Sequence, residues 1–524
     1  MATTREHIQR IIDAHLDAFR HAGVLSVRPG FRMSDGWITD ERAIVATLAP
    51  GAEATAGLPD EIGGVPVDIR VASQAKLAQL GAGAQPRASF GQLGFAPDNG
   101  AVPTFADERV LTAPTEQTPV EQALKAPAKE QLTYTPPSGV SLSPVTATIR
   151  IELSASPDSG WPVLKEFLQG TEKSLTIGLY DFTSAHVLSE FETAAKDKTV
   201  SLVLDHPAKN PTADQTDDET VADLEAALGS GFDQVWALER ADPHAAAWIF
   251  PSAYHIKTAV RDSNSVWLSS GNWNNSNQPD IDPVHNPADG AEARIRDRDW
   301  HVVIHDVALA GVFETYLRND HAIAAHHQAV APAQASEELF LVQPQVQTPP
   351  FKDFSAAVTL REQMTITPVL TPDPGVYTDA VRALIESAQT SLHLQFQYIE
   401  PPRTKTTTSA PFSALIDAVI ARQKAGVDVK VIMSQFETSG YLEQLQELGL
   451  DVVHGVKLQN NVHNKGIVVD GARTLVSSQN WSTAGTLQNR DAGVIIESAR
   501  VAAYFDAVFQ HDWDNLARQK ALQD

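Results

Sequence analysis

One pattern occurs twice in this chain with every spacing preserved. His255-Ile256-Lys257-Thr258-Ala259-Val260-Arg261-Asp262 continues through Ser269-Ser270-Gly271-Asn272-Trp273. His463-Asn464-Lys465-Gly466-Ile467-Val468-Val469-Asp470 continues through Ser477-Ser478-Gln479-Asn480-Trp481. The His, Lys, Asp, paired Ser, Asn and Trp keep the same offsets in both copies, which is hard to attribute to chance. Read as a strand, His and Lys two apart point to one face. Asp470-Gly471 is a strong two-residue hairpin signal, so Ala472 to Ser478 is expected to return antiparallel, with Val469 facing Ala472 and His463 facing Ser478. Copy one supports the same register, with His255 facing Ser270 across a turn at Asp262-Ser263.

The residues ahead of each copy repeat as well. A helix-like stretch from Trp161 to Leu168, a strand-like run Ser174–Asp181 and another, Val200–Asp205, are matched by Ala380–Ile385, Ser391–Tyr398 and Val427–Met433. Strands alternating with helices predict an α/β fold, and a repeat far longer than 50 residues predicts a duplicated domain rather than a solenoid. We read residues 144–330 as the first domain, 331–360 as a Pro- and Gln-rich crossing and 361–524 as the second domain. Residues 1–80 read as a small mixed α/β domain, with an amphipathic first helix (Ile8, Ile11, Ile12, Leu16, Phe19) and short strands at 36–38, 43–48 and 65–71. Residues 81–143 read as a Pro/Ala-rich linker or a wrap over the surface.

Composition narrows the function classes. With 524 residues, 43% of them hydrophobic and 20% charged, the chain is globular and holds about three domains. It contains no cysteine, which removes disulfides, thiolate metal sites and a Cys nucleophile. Charged residues run through Met1–Gly23 without an apolar core, so no signal peptide is expected, and no run of about 18 apolar residues predicts a membrane span. A cytoplasmic location is the reading, with export by another route left open. The net charge of -25 disfavours polyanions and anionic membranes at long range.

Two such hairpins face to face would set two imidazoles, two ammonium groups and four polar side chains around a phosphate-sized space. Phosphoryl transfer needs this set: a nucleophile in line, an acid at the leaving oxygen and fixed positive charge. Over residues 150–524 the chain resembles the phospholipase D superfamily, whose signature is this motif in two copies per active site. The resemblance implies duplicated phospholipase D-like α/β sandwich domains with the active site between them. It also implies a two-step mechanism through a covalent phosphohistidine, without cofactor or metal. His255 would attack phosphorus, and His463 would protonate the leaving alcohol and then activate water or another alcohol. Lys257, Lys465, Asn272 and Asn480 would hold the phosphate oxygens, with Ser270 and Ser478 supporting them. Asp262 and Asp470, at the turn, read as structural. A carboxylate on each imidazole's other nitrogen is expected downstream of the motif, and Asp299 in copy one and Asp491 in copy two fit it.

Other signals have plainer readings. Trp273 and Trp481 are expected to pack behind the site. His301 with His305, and His321 with His326-His327, match no zinc spacing and read as solvated faces. The acidic run Asp214–Glu219 reads as an exposed loop. No phosphate-binding GKS/T loop and no G-x-S-x-G elbow occurs. Among phosphodiesters, a phospholipid head group is favoured over nucleic acid, with peripheral membrane contact compatible with that choice. A nuclease is the second reading. The third is a noncatalytic scaffold whose residues 1–80 recruit a partner that the sequence does not identify.

Overall fold

The computed structural model describes residues 4–20, 23–52, 58–72, 76–77, 80, 105, 107–111, 134–205, 214–242, 245–248, 253–327, 354–402, 406–434 and 439–520. Most of the linker 81–143 and most of the crossing 331–360 therefore lie outside the described residues.

Both motif copies sit in one 14-stranded sheet. From one edge the strands are Val456–Gln459, Asp428–Ser434, Ser391–Phe396, Lys465–Val469, Arg473–Ser477, Asp491–Glu497 and Val358–Thr371. From the other edge they are Phe232–Trp236, Thr199–Leu204, Ser174–Leu179, Lys257–Arg261, Ser265–Ser269, Asp299–His305 and Val145–Ser156. The two series have the same order and meet in the middle, where Val358–Thr371 pairs antiparallel with Val145–Ser156 (Leu360 opposite Ile151, Ile366 opposite Val145). Duplication thus produces one continuous sheet with an approximate two-fold axis at its centre. The strand Val358–Thr371 begins inside the segment read as a crossing, because it is the second half's contribution to that seam.

Alternation along the strands builds three cores. On one face, Ile151, Val302, Ile366 and Val494 from the central strands of both halves pack under the long helices Val307–His327 and Ala499–Asn515 through Phe313, Leu317, Phe505 and Phe509. On the other face each half has its own core: Leu175, Ile177 and Trp267 under the helices Gly160–Gln169 and Ala185–Ala195, and Leu392, Leu394 and Leu475 under Val376–Glu386 and Ala410–Lys424. The shared face binds the halves to each other, so the site on their seam rests on a single body.

The N-terminal residues form a separate five-stranded sheet beside the helix Arg5–Ala14. It includes the strand Val24–Ser34, which the hydrophobic pattern did not reveal, since Pro29-Gly30 interrupts it. This sheet docks on the second half. Phe31, Trp37 and Ile38 join that half's core, and buried Glu443 accepts hydrogen bonds from Arg28 and, at 2.6 Å, from Arg70. Among the described residues no helix is long and apolar enough to cross a membrane.

Candidate active site

Both motifs form the expected hairpins, but in a different register. Val469 pairs with Arg473 and Ile467 with Leu475, while Arg261 pairs with Ser265 and Val260 with Val266. Each pairing is one residue away from the expected one, so His463 does not face Ser478 and His255 does not face Ser270. The turns explain the slip. Asp470 and Gly471 (φ 52° and 58°), like Asp262 and Ser263 (φ 52° and 54°), take left-handed conformations. The next residue, Ala472 or Asn264, hydrogen-bonds back to Val469 or Arg261 and stays outside the ladder. The motif aspartates hold these turns. Asp262 accepts the backbone N–H groups of Glu172, Lys173 and Ser174 at 2.7–2.9 Å. Asp470 accepts those of Gln389, Thr390 and Ser391 at 2.8–3.1 Å. Against the cost of burial, these donors hold Asp262 below the usual carboxylate range and Asp470 at about 2.

The histidine–aspartate pairing crosses between halves. Short parallel bridges join Arg298 to Val462 and Arg490 to Tyr254, the residues just before His463 and His255. The next residue on each side therefore meets its counterpart across the seam. His463 Nδ1 lies 2.9 Å from Asp299 Oδ1, and His255 Nδ1 lies 2.9 Å from Asp491 Oδ1. The expectation that each aspartate serves its own copy is corrected: each orients the imidazole of the other half. Both carboxylates are fully buried.

Ser270 and Ser478 have a different task from the one expected. Ser270 Oγ donates to Asp299 Oδ1 at 2.7 Å and accepts Trp300 N–H, and Ser478 Oγ donates to Asp491 Oδ1 at 2.6 Å and accepts Ala492 N–H. They hold the carboxylates. With Oδ1 already accepting a hydroxyl, the imidazole Nδ1 is the donor, so the carboxylate engages that nitrogen and not Nε2.

Beside these pairs stand the expected cations. Lys257 and Lys465 are fully buried, and each ammonium donates to the carbonyl of its own motif histidine, His255 or His463. Asn272 Oδ1 and both amide atoms of Asn480 are buried without a hydrogen-bond partner among the described residues. Burial, then the neighbouring ammonium of Lys465, pushes His463 down to about 4, and burial with Lys257, Lys465 and His463 drives His255 well below its ordinary value. Burial lowers Lys465 to about 7 and raises Asp491 to about 7. Burial also acts to raise Asp299, yet the His463 ring and the Lys465 ammonium outweigh it and hold this carboxylate below its usual range. Burial thus pushes both lysines, both imidazoles and Asp491 toward their neutral forms, while Asp299 stays ionised. An anion placed beside the ammonium groups would favour the charged forms of the lysines and of an imidazole.

Several residues of the site were not singled out from sequence. Tyr180 meets the His255 ring edge-on (centroids 5.0 Å apart), and its face lies 5.1 Å from the Lys257 ammonium. Asn277 donates to both Asp297 (3.0 Å) and Asp299 (2.8 Å). Arg298 and Arg490 are buried beside the two aspartates, and the Arg-Asp doublet repeated in both halves was a signal that could have marked them. Trp273 and Trp481 do pack behind the site, against Phe182 and Phe396. Two plain readings are corrected. His301 is not solvated: it is fully buried between Ser269 and Ser156, and burial lowers it to about 4. The acidic run is not simply an exposed loop, because Thr216 caps the helix Asp217–Leu228 in a capping box with Glu219, and buried Asp217 accepts Phe182 N–H at 2.8 Å.

A family model described as the phospholipase D-like domain of cardiolipin synthase matches residues 381–513. A phospholipase D of Rickettsia bellii is 26% identical over 162 residues, 30% of this chain and 72% of that protein. A mitochondrial cardiolipin hydrolase of Danio rerio is 26% identical over 156 residues, 28% of this chain and 63% of that protein, less than two thirds of its length. The crystal structure of phosphatidylserine synthase from Haemophilus influenzae superposes with a TM-score of 0.48 at 15% identity, covering 71% of this chain and 87% of that one. Residues 381–513 match a phospholipase D-like domain, and the chain is similar to members of the phospholipase D superfamily.

Proposed function

We propose that this protein is a phosphodiesterase of the phospholipase D type that cleaves or transfers phospholipid head groups through a covalent phosphohistidine. The observation that carries the reading is the crossed pair of His–Asp contacts, 2.9 Å each, beside two buried lysines and two amides with unpartnered atoms. His255, which burial and the neighbouring cations hold toward its neutral form, attacks phosphorus through Nε2 as the bond to the leaving alcohol breaks. His463, whose Asp299 stays ionised and supports an imidazolium, gives its Nε2 proton to the departing oxygen. The bound diester's negative charge raises the proton affinity of His463 from its low value in the free site. In the second step His463 takes the proton of a water or alcohol as that oxygen attacks phosphorus and the P–N bond breaks, which restores both rings. Lys257, Lys465, Asn272 and Asn480 hold the non-bridging oxygens. Residues 144–330 and 361–524 act as the two domains that supply one histidine each.

A phospholipid is favoured by the names of the similar proteins and by the net charge of -25, which opposes binding of long polyanions. Contact with the membrane surface is then peripheral. The test is a substrate panel: release of head group from phosphatidylcholine vesicles, and nicking of supercoiled plasmid, by the full chain and by His255→Ala and His463→Ala. Head-group release that falls by more than about a thousandfold in each variant is expected. Plasmid nicking without lipid turnover would transfer the reading to a nuclease, and full activity in both variants would remove the mechanism.

A further inference from the structure

Behind each aspartate of the site stands an arginine tied to both halves. Arg298 donates to the Ser156 carbonyl at 2.9 Å, to Asp158 at 3.0 Å and, through Nε and Nη2, to Asp512 at 2.9 and 3.0 Å. Arg490 donates to the Thr371 carbonyl at 2.7 Å and to Asp320 at 2.9 Å, with Asp373 at 3.7 Å. The two sets correspond element by element. Ser156 and Thr371 end the two central strands, Asp158 and Asp373 follow them, and Asp320 and Asp512 lie on the long helices Val307–His327 and Ala499–Asn515. In each set the helix belongs to the half opposite the arginine. Asp320 also accepts the Tyr254 hydroxyl at 3.2 Å, so one carboxylate ties down the residue before Asp491 and the residue before His255.

We propose that Arg298 and Arg490 are positioning residues for the reaction. Each is clamped by the terminal helix of the other half, and it fixes its adjacent aspartate against the imidazole across the seam. The inference rests on the proposed chemistry, and its geometry is separate from it. Asp299 and Asp491 hold no contact with the clamps through their own side chains. They are placed by the main chain that the guanidinium groups pin, at the two points where Arg298 bridges Val462 and Arg490 bridges Tyr254. A buried guanidinium with two carboxylates and a carbonyl has little freedom to shift, and removing one carboxylate leaves it undercompensated. The charged and titratable groups around Arg490 are Asp320, Asp373, Tyr134, Tyr254 and Tyr316; those around His255 are Asp491, Lys257, Lys465 and His463, with Tyr180 against the ring.

The clamps act on different histidines, and that separates positioning from bulk stability. In Asp320→Asn the Asp491–His255 contact loosens, while Asp299–His463 is untouched; Asp512→Asn does the reverse. Histidine-selective 15N NMR of the full chain, with the two signals assigned through His255→Ala and His463→Ala, reads this without turnover. Asp320→Asn is expected to move the His255 ring signals and leave those of His463, with the mirror result for Asp512→Asn. On bis(4-nitrophenyl) phosphate, kcat is expected to fall about tenfold or more with KM within about twofold. The acid limb of the kcat/KM profile moves to lower pH in Asp320→Asn, because His255 loses support for its charged form, and the alkaline limb moves to lower pH in Asp512→Asn. Should either variant fail to fold, Tyr134→Phe removes the hydroxyl that accepts from Arg490 at 2.6 Å and is expected to shift the His255 signal alone, by less. Folded variants whose imidazole signals match the wild type, or which move both histidines equally, overturn the proposal. Loss of the phosphodiesterase reading would show separately, as a wild-type protein inert toward every diester.

Discussion

Ser478 illustrates how a side chain beside a reactive group can matter without touching substrate. Its hydroxyl is shared between Asp491 and the Ala492 N–H, so Ser478→Ala leaves a buried carboxylate oxygen short of a donor and a backbone donor without its acceptor. We expect kcat to drop by about tenfold in Ser478→Ala and in Ser270→Ala, with KM little changed, measured on a small diester. Titration belongs to this scale too. His463 falls from 6.5 to about 4 on folding, so between those values the unfolded chain binds more protons. This contribution to stability is complete above 6.5 and is lost as pH falls toward 4. Thermal unfolding followed from pH 7 to pH 4 should show that decline, and it should be smaller in His463→Ala. The histidines, lysines and asparagines were legible in sequence because they recur at fixed offsets. The serines' task was not, since a one-residue shift in register changes what each hydroxyl faces.

At the scale of elements, the aspartates that end the motifs act as anchors for neighbouring strands. Asp470→Ala strands three backbone donors at the start of Ser391–Phe396 and is expected to cost about 2 kcal/mol of stability by denaturant titration, while the folded fraction keeps its activity. Asp470 lies at about 2 in the folded chain against 3.8 ordinarily, so its contribution is present above 3.8 and fades as pH falls through 2. The turn signal at Asp470-Gly471 was readable, but the added unpaired residue was not, because two- and three-residue closures share the same left-handed turn residues. Val145–Ser156 alternates cleanly in sequence but carries no motif, and its place at the seam follows only from its pairing with Val358–Thr371. Its partner Val358–Thr371 starts in a stretch whose composition resembles a linker.

For the whole molecule, buried Glu443 joins Glu447 and the apolar Phe31, Trp37 and Ile38 in docking the N-terminal sheet. Glu443 compensates Arg28 and Arg70, all of them nearly inaccessible to solvent; Arg70 keeps Asp68 at 2.8 Å, but Glu443→Gln takes this charge from buried Arg28 and is expected to cost about 3 kcal/mol. Limited trypsin digestion should then release the N-terminal segment earlier than in the wild type, with the site in the remaining chain unaffected. The positive charge at the site comes from Lys257 and Lys465, so turnover is expected to persist in excess chelator.

The sequence by itself determined the parts: two copies of one α/β unit, the identities of the imidazoles, ammonium groups and amides, and the carboxylates that serve them. Those follow from local spacing, which a repeated motif records directly. Only the tertiary structure decided which carboxylate meets which histidine, that the two units share a single sheet, and that arginines tie each half to the other's helix. Such contacts join residues hundreds of positions apart, and they are set by how strands pair at the seam and which faces are buried there, which spacing along the chain does not encode.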